Sequence, residues 1–208
     1  MKQDVEPVRE AVKARQILDG ARIAFLALGF DGTSVDEIAR RACVSKPTVY
    51  AHFADKRALF VAVVEEDCRE YARRMIQADA PAEREPIRDT LRRVAGLYTA
   101  FSLSPFSLGV FRLVVADALR FPELGQAFHN AGPRLARTRL TSLLAAAVAR
   151  GELAIDDLEL AADQFTELCK AGLFTRRLLL ATRPSPHELT RAVDGAVSMF
   201  LCAYATRA

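Results

Sequence analysis

Ser45, Lys46, Pro47, Thr48, Tyr50 and His52 crowd into one short stretch of TSVDEIARRACVSKPTVYAHF, residues 33–53. Together they offer hydroxyls, a cationic head and ring edges, the groups that meet base edges and phosphates in a duplex groove. Small residues at the start of such a helix let backbone approach phosphate. Ser45 and Lys46 fit that need, and the exposed N–H groups there favour anions. Thr48 and Tyr50 can present hydroxyls or apolar edges to bases, and the thymine methyl suits both. His52 and Lys56 would reach the sugar-phosphate backbone. Thr33 or Ser34 can place a hydroxyl on phosphate from a supporting helix. Phe53 reads better as core than as a contact.

These groups must be held by two short helices and a tight turn. Ser34 with Glu37 three residues later forms a capping-box pattern that opens a helix through Ala42. Ser45 caps the next helix, where Pro47 is tolerated because first-turn N–H groups lack helical partners anyway. Ile38, Ala39, Ala42, Val44, Val49 and Phe53 would form the core between them, with Ala39 at the close crossing. Upstream, Val12, Ile17, Ala21, Ala24, Phe25 and Leu28 recur with a helical period over 8–28, and Gly29 ends that helix. Asp55 caps a fourth helix that carries Leu59, Phe60, Val63 and Val64 toward Tyr71 and Met75.

A composition break follows at Ala80-Pro81 and Glu85-Pro86. Beyond it helices are expected near 86–103, 105–120, 122–150, 157–181 and 186–205. Gly151 stops the long one, and Ser185 to Glu188 forms a second capping box. No stretch alternates long enough for a strand. The expectation is an all-α chain of about nine helices. It comprises an N-terminal three-helix helix-turn-helix DNA-binding domain, 8–55, and a C-terminal helical ligand-binding and dimerisation domain, 56–208.

Composition excludes several classes. The chain has 208 residues, 51% hydrophobic, enough for a real core. Net charge is +3, and the first 56 residues hold four Lys and five Arg against eight acids, so bulk electrostatics do not argue for DNA. Apolar runs such as Leu143–Ala149 fall far short of the roughly 18 residues a membrane span needs. The charged N-terminus lacks a signal peptide's apolar region, and the dispersed cysteines 43, 68, 169 and 202 suggest reduced thiols in a cytoplasm. No G-x-S-x-G, H-E-x-x-H or phosphate-loop pattern is present, and the three histidines have no ligand spacing. No enzyme, cofactor or metal is expected. The acids Asp156-Asp157 and Glu65-Glu66-Asp67 are explained as caps or a solvated face. Cys43 is a small buried thiol or, alternatively, a redox switch beside DNA.

Residues 13–65 resemble the N-terminal domain of TetR/AcrR-family transcriptional repressors. The features that carry the likeness are Ile17, Ala24-Phe25, Gly29-Phe30, Thr33-Ser34-Val35, Ile38-Ala39, Val44-Ser45-Lys46, Val49-Tyr50, His52-Phe53 and Lys56–Leu59–Phe60. The resemblance implies a homodimer with one reading helix per subunit on a pseudo-palindromic double-stranded DNA operator. Two positions depart from it. Cys43 stands where the family usually has Gly, which would strain a left-handed turn. Pro47 stands where Gly is common, which puts in doubt any backbone contact there.

Residues 105–180 more faintly resemble the ligand-binding domain of AefR-like regulators, through Arg112 to Asp117, Arg120 to Leu124 and Ala149 to Leu153. In that reading a cavity opens among the helices spanning 56–181, where Tyr98, Phe101, Phe106, Phe111, Phe121, Phe128, Phe165 and Phe174 cluster. Tyr98, Phe101, Phe106, Phe111, Arg112, His129, Phe165 and Cys169 are the ligand candidates, with Gln164 weaker. Apolar walls suit a hydrophobic effector, although ordinary core explains most single aromatics. Arg112, a charge in an apolar helix, needs a partner such as Asp117 or an anionic ligand. The last two helices would share small and apolar residues, Gly172 and Ala196 among them, between the domain core and a second subunit. The expected function is a cytoplasmic, effector-released repressor. A non-allosteric helical DNA-binding protein and a helical ligand-binding protein that has lost DNA binding stay open.

Overall fold

The computed structural model describes residues 5–78 and 85–206, with side chains described from 9 to 70 and from 85 onward. Eleven α-helices and no strand occur among the described residues. The expected break at Ala80-Pro81 lies outside them. The chain divides into two compact units. The first comprises the chain to Cys68 together with Gly109–Ala131, and the second comprises Arg69–Leu108 and Gly132–Ala208. Residues 56–68 and 109–131 therefore group with the N-terminal helices, not with the rest of 56–208.

The first unit starts with α1 (Val5–Gly32), broken at Gly29 by φ 73° and ψ 177°. It continues through α2 (Val35–Arg41), α3 (Lys46–His52) and the start of α4 (Lys56–Ala78). Ile17, Ala21, Ala24 and Phe25 of α1 are buried, as are Ile38, Ala39, Val49, Leu59, Phe60, Val63 and Val64. Phe60 meets Phe25 at 5.3 Å and Phe30 at 5.7 Å, both edge-on. Each such pair adds about 0.5–1.5 kcal/mol beyond burial. From the rest of α6 (Pro105–Asp117) and from α7 (Pro122–Ala131), Val110, Leu113, Val114 and Leu124 are buried. Phe121, in the corner between those helices, meets Phe30 at 5.5 Å with the rings tilted.

α1 crosses the end of α2 closely, at Gly20 and Ala42. A Cβ on Gly20 would stand 2.7 Å from the Ala42 backbone nitrogen. Ala39, expected at the crossing of α2 and α3, is buried. Glu66 and Asp67 do not lie on a solvated face. Arg15 Nη1 donates to Glu66 at 3.0 Å, and Arg22 grips Asp67 with Nε at 2.8 Å and Nη2 at 2.6 Å, tying α1 to α4.

The turn after α2 passes through the left-handed region at Cys43, φ 53°. The strain expected there is present, and Cys43 is exposed, so it is not a buried thiol. A left-handed conformation costs a side-chain-bearing residue about 1–2 kcal/mol, offset in part by the extra unfolded freedom of glycine, about 0.5–1 kcal/mol. Cys43→Gly is therefore expected to stabilise the chain by about 0.5–1 kcal/mol, read as a higher denaturation midpoint.

In the second unit, α5 (Ile87–Ser102), α8 (Pro133–Ala149), α9 (Leu158–Lys170) and α11 (Pro186–Tyr204) enclose one core, built on Leu91, Val94, Leu144, Phe165, Val197 and Phe200. The capping box at Ser185 forms in both directions with Glu188. Two helices expected to be continuous are split. The span 122–150 breaks at Gly132-Pro133, where Pro lacks the N–H to continue α7. The span 157–181 breaks at Gly172, φ 72°, before α10 (Leu173–Leu180). Gly172 thus serves the backbone turn, and Ala196 packs in the unit's own core. Gly151, φ 75°, ends α8 as expected.

Candidate nucleic-acid interface

The two-helix unit is seated from below and open above. Ile38, Ala39, Ala42 and Val49 are buried, with Val44 and Phe53 half-buried. Ser34 Oγ accepts from Glu37 N at 3.2 Å. The Glu37 carboxylate does not close the box. It accepts instead from Arg40 Nη2 at 2.7 Å and Arg41 Nε at 2.6 Å. Hydrogen bonds from Arg40 and then Arg41 bring its carboxyl down to about 2. Ser45 Oγ accepts from Thr48 N at 3.2 Å and lies 2.7 Å from the Thr48 hydroxyl.

Of the residues expected to meet DNA, Ser34, Ser45, Lys46, Pro47 and Tyr50 are exposed, and Thr48 and His52 are half-buried. The Tyr50 side chain decides most, because a large aromatic 49% exposed on a seven-residue helix is not working as core. Lys46 Nζ lies 2.9 Å from Asp36 Oδ2, and that hydrogen bond raises the ammonium's pKa, so it stays charged.

Two expected contacts are engaged within the chain. Thr33 is buried, and its hydroxyl donates to Gly29 O at 2.6 Å, closing the turn after the α1 break. Lys56 Nζ donates to Phe30 O at 2.7 Å and sits 4.5 Å from the centre of the Phe30 ring. Lys56→Ala is thus expected to cost the first unit about 1–2 kcal/mol. It should leave the salt slope of DNA binding unchanged, which a denaturation curve beside a salt titration would check.

The ligand candidates fall in both units. Phe111, Arg112 and His129 belong to the first, where Phe111 meets Phe128 at 6.1 Å and Arg112 and His129 are exposed. Tyr98, Phe101, Phe106, Phe165 and Cys169 belong to the second. Phe165 and Cys169 are wholly buried core, and burial pushes the Cys169 thiol up to about 12. Tight packing there, with Phe165 at 4.9 Å from Phe200, leaves no accessible face for a ligand. Gln164 is occupied as well, accepting from the Tyr204 hydroxyl at 2.6 Å.

The missed signals are Gly20, whose role depends on a partner 22 positions away, and Asp36, which reads locally as an ordinary first-turn acid. No helix-period argument pairs either with its neighbour.

Two family models match the chain. Residues 17–63 fit the N-terminal domain of bacterial regulatory proteins of the tetR family, and residues 89–206 fit the AefR-like transcriptional repressor C-terminal domain. The chain belongs to the TetR family. A TetR-family transcriptional regulator from Mesorhizobium loti MAFF303099 is similar along 95% of this chain and 99% of its own, with 31% identity and a TM-score of 0.88. The flavonoid-responsive regulator FrrA is 30% identical over 94% of this chain and 98% of its own, with a TM-score of 0.77. The HTH-type transcriptional repressor Rv1474c of Mycobacterium tuberculosis is 28% identical over 88% of this chain and 90% of that protein. The fold and the relatives make this TetR-family chain a transcriptional regulator and not an enzyme.

Proposed function

We propose that this regulator is a ligand-responsive repressor that binds a pseudo-palindromic operator as a homodimer and is released by a small, mostly hydrophobic effector. The observation that carries the proposal is the exposure of Lys46 and Tyr50 on a short helix that the buried Val49 seats on the unit's core. Ser34, Ser45, Pro47, Thr48 and His52 complete the proposed contact set. Such a regulator acts beside the chromosome, in the cytoplasm.

The last two helices support pairing with a second copy. Leu179, Leu180 and Met199 are 74%, 66% and 63% exposed. Beside them runs a cleft of about 400 Å³ lined by Leu168, Gly172, Gly195 and Met199 among others. Covering such apolar side chains in a twofold contact is favourable. The likeness to the flavonoid-responsive FrrA supports a hydrophobic effector. Tyr98, Phe101 and Phe106, all partly accessible, are the proposed ligand aromatics of the second unit.

Footprinting on the intergenic DNA that flanks the chain's own gene tests this reading, repeated with a panel of hydrophobic compounds. One protected region is expected, and an effector should weaken it about 5- to 150-fold, the usual span of allosteric coupling. No protected region at low salt would contradict the repressor reading.

A further inference from the structure

The reading unit is short of unpaired positive charge for a nucleic-acid binder. Its outward cations face the acids that open α2. Glu37 receives Arg40 and Arg41, and Asp36 receives Lys46 from ten residues further along the chain. The side chains of Lys46 and Asp36 are 47% and 68% exposed. An exposed ion pair of this kind adds almost nothing to folding stability, so stability does not explain its place. Its location is more telling, at the first residue of the helix proposed to enter the groove.

An ammonium carries three donors and no acceptor. One donor on Asp36 leaves two for a duplex. The Asp36 carboxylate repels phosphate but tolerates neutral acceptors such as guanine O6 and N7 or thymine O4. To neutralise a phosphate, Lys46 must leave Asp36. To read a base edge beside α3, it need not. Nonspecific binding is almost wholly electrostatic, so a tether of this kind penalises random sequence more than a matched site.

We propose that Asp36 is a positioning residue for DNA reading: it holds the Lys46 ammonium on neutral base-edge acceptors and away from phosphates, and so sets the ratio of operator to random-duplex affinity. The assignment rests on the proposed DNA reading. It uses repulsion against the wrong partner, as specific interfaces commonly do.

Duplexes selected from a random library by the full-length chain supply the operator probe, and shuffled versions supply the nonspecific one. With Asp36→Asn, affinity for shuffled duplex should rise about fivefold, and its salt slope should steepen by about one phosphate per subunit. Operator affinity should change less than about twofold, because its base contact persists. In a Lys46→Gln background, Asp36→Asn should add nothing on shuffled duplex. A parallel rise on both duplexes would show that Asp36 merely repels DNA and would overturn the assignment. Unchanged shuffled affinity would overturn it too, as would a gain that survives Lys46→Gln. If the unaltered chain enriches no sequence, the DNA reading itself fails and the assignment falls with it.

Discussion

Gly20→Ala is expected to destabilise the first unit by about 2 kcal/mol, although alanine is the better helix former. Helix propensity alone favours the change by about 0.5–1 kcal/mol. The new Cβ, however, would sit 2.7 Å from Ala42 N, 2.9 Å from Ala42 Cβ and 3.0 Å from Ala42 Cα. Two of those atoms are backbone and cannot swing aside. Ala42 N also donates to Ile38 O at 2.8 Å, so moving it disturbs the last bonds of α2. Overpacking against such a wall costs about 1–3 kcal/mol or more, and it outweighs the propensity gain. The helices would have to part where Ile17, Ala21, Ile38 and Ala39 are all buried. Denaturant titration of the variant reads the loss directly, and an unchanged or raised midpoint would contradict the close crossing.

Tyr50→Ala is expected to abolish operator selectivity while sparing the fold. The side chain is half exposed, so its removal should move stability by no more than about 0.5 kcal/mol. A base contact is worth about 1–3 kcal/mol per half-site. Two half-sites per dimer make the discrimination fall by about 30- to 25,000-fold if the contributions add. Affinity for shuffled duplex should change by less than about threefold, since no phosphate charge is removed. Competition titrations with selected and shuffled duplexes separate the two effects. Equal losses on both would contradict a reading role for Tyr50.

Local rules made the small helices legible. Ser34, Ser45, Asp55, Asp157 and Ser185 each cap the helix they precede, because a short polar side chain and the N–H groups it satisfies lie within three residues. Gly29 and Gly151 mark their turns for the same local reason. Long apolar patterns were less informative. Continuous periodicity across 122–150 and 157–181 hid the breaks at Gly132-Pro133 and Gly172, since packing on both sides preserves the apolar stripe through a bend.

The candidate interface divided along the same line. Lys46 and Tyr50, four residues apart, share one side of α3 and are exposed, and Val49 is turned inward. Engagement of Thr33 by Gly29 and of Lys56 by Phe30 depends on how the α1 break folds back, which no spacing in the sequence reports. The aromatic set of the second half was legible as apolar but not as core or cavity. Phe165 and Cys169 pack as core because α9 faces both α5 and α11.

Two paired copies of the chain are expected to lay α3 across exposed base edges. The most direct test of this is the stoichiometry and footprint of the full-length chain on a duplex selected from a random library, with Tyr50→Ala beside it. The expected result is an even number of chains per duplex, protecting half-sites about 34–36 Å apart or a multiple of that, and loss of that pattern in the variant. A single chain per duplex, or a footprint that Tyr50→Ala leaves intact, would contradict it.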